Sequence, residues 1–231
     1  MNKKTKIKDL GLIDYKKCWD YQESLFKSII QEKKENRLNN SYSETKNYIL
    51  LCEHPHVYTL GKNGRDENLL VNNNYLLKKN AKFYKTNRGG DITYHGPGQI
   101  VCYPILDLDN FFTDIHKYLR LLEEAVILTL NSCGLKGERS EGETGVWLSV
   151  GSPEARKICA IGVKTSRWVT LHGLALNVST DLSYFENIVP CGILNKQVTS
   201  LEKEIGEKID KEKIKKELVY QLSKIFEMKI I

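Results

Sequence analysis

The sequence lacks any apolar run approaching the ~18 residues that a membrane span requires. Its start, MNKKTKIKDLGLIDY, is basic but leads into no apolar stretch, so no secretory signal is expected and the expected location is the cytoplasm. None of its six cysteines (Cys18, Cys52, Cys102, Cys133, Cys159 and Cys191) forms a C-x-x-C pair. Scattered through apolar segments, they read as reduced, buried thiols. There is no helix-turn-helix signal and no basic stripe interleaved with aromatics, so the net charge of +6 does not argue for DNA binding. Runs such as KKTKIK and KEKIKKE are solvated faces whose modest positive field favours acidic partners. No repeat, low-complexity tract or linker breaks the chain.

What is present is an ordinary globular composition, 41% hydrophobic and 28% charged over 231 residues. That length fits about one domain and allows on the order of 70% of the unfolded surface to be buried. Periodicity predicts amphipathic helices over 14–33 (apolar at Trp19, Leu25 and Ile29), over 114–133 and over 211–227. The second has Ile115, Leu119, Leu122, Val126 and Thr129 on one face, a cap at Thr113 or Asp114, and an end at Gly134. The third has Ile214, Leu218, Leu222 and Ile225 on one face. A short helix is expected within VNNNYLLKKN. NYILLCEH, HVYTL, KFYKT, DITYH, QIVCYPILDL, GVWLSV, RKICAIGVKTS and VTLHGLALNV read as strands. KFYKT and DITYH would flank a turn at Gly89-Gly90, and Pro104 suggests an edge or a bulge. The pattern is α+β: a mixed sheet packed by helices in a single domain. Residues 1–205 are expected to form the main body and 206–231 a C-terminal amphipathic helix packing on it.

The densest glycine stretch is NRGGDITYHGPGQIV, residues 87–101. No G-K-[ST] follows it, so it is not a P-loop, and a lone RGG is not a repetitive RNA-binding tract. A structural turn and a backbone surface shaped to a ligand remain as readings. Cys191 sits between proline and glycine in ENIVPCGIL, which places it in a tight turn. A free thiol has a pKa of ~8.5, so a nearby cation would be needed to make it a ready nucleophile. Lys157 starts a strand that is otherwise apolar; it is either a proton-exchanging lysine or a snorkelling one. His54 and His56 flank a proline without further ligands at metal spacing. His95 and His172 each abut a glycine and could line one cleft or be satisfied structural histidines. Glu138, Glu141 and Glu143 fit a polar loop as well as an acid pair.

Four motifs in order, RGGDITYHGPGQIVCYPILDL, RKICAIGVK, LHGLALNV and NIVPCGI, resemble the lipoyl(octanoyl) transferases over roughly residues 50 to 200. The resemblance implies a biotin/lipoate ligase-like fold, related to the catalytic domain of class II aminoacyl-tRNA synthetases. It implies that Cys191 is the acyl-thioester nucleophile and that Lys157 lowers its pKa and shuttles protons. It implies substrate contacts at Arg88, Gly89, Gly90, Asp91, Ile92, Thr93, Tyr94 and His95. Further contacts are implied at Ala160, Ile161, Gly162, Gly173, Leu174 and Ala175, with His172 as a supporting residue.

The implied reaction moves an octanoyl or lipoyl group from acyl carrier protein to a lysine of lipoyl domains. Those domains belong to 2-oxoacid dehydrogenases and the glycine cleavage H protein. No ATP, metal or nucleic acid is implied, and a monomer is expected. The alternatives are an ATP-dependent lipoate or octanoate ligase or an octanoyl amidotransferase on the same fold. The Pro-Cys-Gly cysteine argues against the ligase. A non-catalytic RNA-binding module would instead show salt-sensitive RNA binding and no acylation.

Overall fold

The computed structural model describes residues 1–40, 43–189 and 197–231. Cys191, with Pro190 and Gly192 of its motif, lies outside the described residues. Along the chain, β1 (Lys4–Leu12) leads to α1 (Tyr15–Leu38), β2 (Asn47–Glu53), β3 (Val57–Leu60), α2 (Asn73–Lys78), β4 (Lys82–Lys85), β5 (Ile92–His95) and β6 (Gln99–Ile105). Then come α3 (Ile115–Asn131), β7 (Val146–Leu148), β8 (Arg156–Ser166), β9 (Val169–Asn177), β10 (Gln197–Val198), α4 (Leu201–Ile205), α5 (Lys211–Ile225) and β11 (Lys229–Ile230). The larger sheet has eight strands. Seven run in the order β10-β8-β9-β6-β2-β1-β11, and β7 pairs with β8. The smaller sheet has the order β4-β3-β5.

Alternation along the central strands sorts their side chains onto two faces. Ile49 and Leu51, Ile100 and Cys102, and Leu174 and Leu176 join α3 and α5 in one core. Leu50, Cys52, Val101, Tyr103, Ile105 and Ala175 join α1 in another. In α3 the buried stripe is Tyr118, Leu122, Ala125, Val126, Thr129 and Leu130, with Ile115 and Leu119 partly buried beside it. Asp114 caps the helix by accepting from Lys117 N, and Gly134 leaves it at φ +77°. In α5, Ile214, Leu218 and Leu222 bury in the same core, followed by Phe226.

Several expectations change. α1 runs to Leu38, and its buried positions are Tyr15, Cys18, Gln22, Phe26 and Ile29, so Trp19 and Leu25 only flank the stripe. β4 and β5 do not form a hairpin across Gly89-Gly90, because β3 lies between them, parallel to β4 and antiparallel to β5. Pro104 is on neither sheet edge. β6 is central, but its ladder with β9 ends at Cys102↔Leu174. Beyond it the Thr170 hydroxyl donates to Pro104 O and accepts from Leu106 N, so the amide hydrogen that proline lacks is not needed. β1 was not expected: its burial alternates only weakly, and it is held by parallel pairing with β2 and β11.

Candidate active site

The segment joining β4 to β5 explains the glycines. Arg88 O accepts from Lys62 N (2.9 Å), Gly90 O accepts from Asn63 N (3.1 Å), and Gly89 N donates to Val163 O on β8 (2.8 Å). The segment therefore bridges the small sheet and the large one, rather than turning a hairpin. A Cβ on Gly162 would stand 2.8 Å from Gly89 O and 3.2 Å from Arg88 Cδ, and Gly90 has φ +83°. Both readings of the glycines thus hold at different atoms. Some let chain lie on chain, and Gly90, Gly162 and Gly173 also line a cavity of about 360 Å³ in the angle between the sheets, within the usual range for a small-molecule site.

Arg88, Gly90, Asp91, Ile92, Thr93 and His95 form one wall, from the joining segment and β5. Ala160, Ile161 and Gly162 from β8 and His172, Gly173, Leu174 and Ala175 from β9 line the cavity as well, and Lys157 also reaches it. Two expected contacts do not line it. Gly89 is engaged with β8 as above. The Tyr94 side chain is buried in a separate aromatic cluster, stacked on Tyr184 with centroids 4.8 Å apart, its hydroxyl 2.7 Å from His56 Nδ1. Burial pushes its phenol well above the ordinary range. β5 alternates, so Thr93 and His95 cannot share a side with Tyr94.

The sequence reading missed Tyr15, Gln99, Tyr103, Glu143, Thr144, Asn177, Phe185 and Val198, all of which line the cavity. Gln99 lies within the quoted motif and could have been taken from it. Tyr15 and Tyr103 carried no signal distinguishing them from core aromatics. The polar-loop account suits Glu138, which accepts from Lys136 and from Val150 N; it leaves out that Glu143 reaches the cavity.

Arg88 is buried, its Nη2 donating to Thr59 O (2.6 Å) and Oγ1 (2.9 Å) and its Nη1 to Gly89 O (3.0 Å). It is a fixed cation inside the protein. Two neutral imidazoles face it. His95 Nδ1–H donates to Gln99 Oε1 (2.7 Å), because Gln99 Nε2 itself donates to Tyr94 O and Asn177 Oδ1. Burial, then the neighbouring His54, holds the His95 pKa down at about 3, with Arg88 adding to the effect. His172 is likewise held at about 3 by burial, then Arg88 and Lys164. Its backbone φ of +62° is a left-handed conformation at a non-glycine residue, a strain of about 1–3 kcal/mol. Alternation with Leu174 and Leu176 would assign position 172 to the α3–α5 face. Its ring instead stands 6.0 Å from that of Trp19 on α1.

Lys157 lies on β8 between two partners, Trp147 of β7 and Val198 of β10. Its Nζ donates to Thr144 O (3.3 Å) and sits 4.6 Å from the Trp147 ring centroid. The histidines that flank Pro55 diverge. His56 stacks on Tyr184 with centroids 4.3 Å apart, whereas His54 is buried under α1 with Nδ1 2.7 Å from Ile13 O. Among the described residues, Cys18, Cys52 and His54 are the group whose donor atoms are near enough to hold a metal, within 4.8 Å of one another. Burial raises the Cys52 thiol well above its ordinary pKa.

A model of the lipoyl protein ligase A/B catalytic domain matches residues 14–223. A protein of Christiangramia forsetii named octanoyltransferase is 62% identical over 231 residues, 100% of this chain and 99% of that one. An octanoyltransferase of Bacteroides thetaiotaomicron is 46% identical over 226 residues, 98% of this chain and 97% of that one. Among solved structures, a bipartite lipoate protein ligase of Thermoplasma acidophilum superposes with a TM-score of 0.70 at 18% identity, covering 100% of this chain and 86% of that one. That likeness is one of fold.

Proposed function

The chain belongs to the lipoyl protein ligase A/B catalytic-domain family, and we propose that it transfers octanoyl groups in protein lipoylation through an acyl-thioester on Cys191. It is an acyltransferase, as its relatives at 46–62% identity over nearly the whole chain are. The donor in this reading is octanoyl-acyl carrier protein, and the acceptor is a lysine of a lipoyl domain. The enzyme acts as a cytoplasmic monomer without ATP or a metal. Among the described residues no helix is long and apolar enough to cross a membrane.

One observation carries the mechanism. Phe185, before Cys191, and Val198, after it, both line the cavity that Lys157 reaches, and Val198 pairs in register with Lys157. The chain on both sides of the cysteine thus meets the cavity, and on the far side Val198 lies beside the proposed base. The Cys191 thiolate attacks the carrier thioester, and the carrier's thiol leaves with a proton delivered by Lys157. Exchanging one thioester for another is nearly isoenergetic, so no nucleotide is needed. The acceptor amine then forms the C–N bond, the C–S bond breaks, and the amine proton returns to sulfur through Lys157. Ile161, Leu174 and Ala175 line the cavity as apolar surface for the chain, each buried methylene contributing about 0.8 kcal/mol.

The test is intact mass after mixing with octanoyl-acyl carrier protein without ATP, beside Cys191→Ala. One octanoyl group is gained by the wild type, removed by hydroxylamine, and absent from the variant. No gain, with transfer appearing only when ATP and free octanoate are added, makes the protein a ligase. Lys157→Ala slows loading by about 10²-fold or more, most strongly below pH 8, where the thiol is otherwise protonated.

A further inference from the structure

We propose that Glu123, which does not line the cavity, positions the amine of Lys157 by aiming the peptide group between Thr144 and Gly145 at it. This rests on the reading of Lys157 as the acid–base group of the transferase.

Glu123 is a fully buried carboxylate on α3, set among Leu122, Ala125 and Val126 of the buried stripe. Burying a charge is costly, and pairing it does not by itself offset the cost. The arginines beside it do not explain its burial. Arg120 and Arg139 both meet Oε2, at 2.9 and 3.2 Å, and both are part-exposed. Arg139 also pairs with the more exposed Glu124 next in the chain. The other oxygen, Oε1, accepts from Gly145 N (3.0 Å). That contact is open only to a carboxylate turned into the core.

A trans peptide is planar, and its N–H and C=O point in opposite directions. Holding Gly145 N–H on Glu123 therefore aims Thr144 C=O away from α3. Lys157 Nζ donates to that carbonyl (3.3 Å). The charge of Glu123 polarises the same peptide and strengthens its carbonyl as an acceptor. The turn lies against β8 at the lysine itself. Gly145 has φ +122°, and a Cβ there would stand 2.5 Å from Cys159 O and 3.5 Å from Lys157 Cε. Trp147, two residues on, pairs with Lys157 and sets its ring centroid 4.6 Å from Nζ. Thr144 O and the indole face thus fix where the amine sits, and both hang from the segment that Glu123 holds. Of the other charges nearby, Arg156 is engaged by Glu204, and Glu143 stands on the same turn and lines the cavity.

Loading of octanoyl onto the enzyme, followed by intact mass against time, tests the link. Glu123→Leu keeps the space filled and releases the turn. It should slow loading at pH 7 about tenfold, a part of the ~10²-fold that loss of Lys157 removes. The deficit should shrink toward pH 9, where a thiol ionises without help. Glu123→Gln keeps an oxygen for Gly145 N and should restore most of the rate. In a Lys157→Ala background, Glu123→Leu should slow loading by less than about twofold further, because a residue acting through Lys157 has nothing left to act on. Gly145→Ala displaces the same peptide from its other side and should give the same pattern, so the test stands if one variant fails to fold. Circular dichroism checks the fold of each. A loss equal at all pH values, or effects at Glu123 and Lys157 that multiply, would overturn the inference and leave Glu123 as a structural ion pair. Normal loading by Lys157→Ala, or none by the wild type without ATP, would instead sink the reading on which it rests.

Discussion

The two faces of the large sheet are built from the same strands but differ in kind. The face under α3 and α5 is packed with Leu, Ile and Val. Its buried carboxylate, Glu123, accepts from Arg120, Arg139 and Gly145 N. The face under α1 buries Cys18, Gln22, Cys52, His54, Tyr103 and His172, and it adjoins the cavity. Apart from Glu123, and from Ile161 and Leu174, which also line the cavity, the first face can be varied at a cost in stability alone. On the other, the groups that fill the core also orient the site, so packing and chemistry cannot be separated.

The largest test of that difference is Gly162→Val. Its first added carbon meets Gly89 O at 2.8 Å and crowds Arg88, which displaces the cavity wall. Octanoyl transfer should fall by about 10² or more, as a 1 Å misplacement can cause, with the protein still folded by circular dichroism. Full transfer by this variant would break the link between the joining segment and the site. The matching change on the other face is Leu122→Ala. It is expected to lower unfolding free energy by about 2–5 kcal/mol in urea titrations, with transfer per folded molecule changed less than about twofold.

The same contrast governs what could be read from the sequence. α3 and α5 were legible because a stripe of Leu, Ile and Val at helical spacing has one explanation. β2 to β9 were legible as runs, but not β1, β10 or β11, and not the partners of any: nothing in KFYKT or DITYH reveals that β3 lies between them. Within the site, the residues brought together from the joining segment, β8 and β9 follow the motifs. Tyr15 and Tyr103 could not be separated from ordinary core aromatics. The turn of His172 away from its alternating side is a backbone twist that no side-chain pattern encodes.

The polar face should also be the one sensitive to acid. His54 is held at about 4, chiefly by burial, against 6.5 when unfolded, and His95 and His172 at about 3. Their folded pKa values are depressed, so their contribution is present above pH 6.5 and is lost as pH falls toward the folded values. Between pH 6.5 and 5 the unfolded chain takes up protons that the folded one does not, and stability declines. Carboxylates with lowered pKa, such as Glu204 beside Arg156, act only below about 4.5. His54→Gln removes one of these protons. It should flatten the fall of stability by about 1 kcal/mol per pH unit in that window. Urea titrations at pH 6.5, 5.8 and 5.0 read the slope, and an unchanged slope would mean that His54 is not buried as a neutral imidazole.

The smallest effects come from one kind of change made on both faces. Asp114 caps α3 through Lys117 N (3.0 Å), and Asp14 caps α1 through Lys17 N (3.2 Å) while pairing with Lys82 at 2.7 Å. Replacing either by alanine removes an N-cap worth about 1 kcal/mol, and the exposed Lys82 pair adds little. The stability losses should therefore be similar. Their effects on transfer should not be. Tyr15 directly follows Asp14, lines the cavity and stacks on His95 with centroids 5.9 Å apart, so fraying the first turn of α1 loosens a cavity wall. Asp14→Ala should lower kcat/KM several-fold at a temperature where both variants are folded, and Asp114→Ala should leave it unchanged. Equal kinetics in the two would show that α1 merely covers its face, as α3 does, and that the polar groups beneath it hold the site without it.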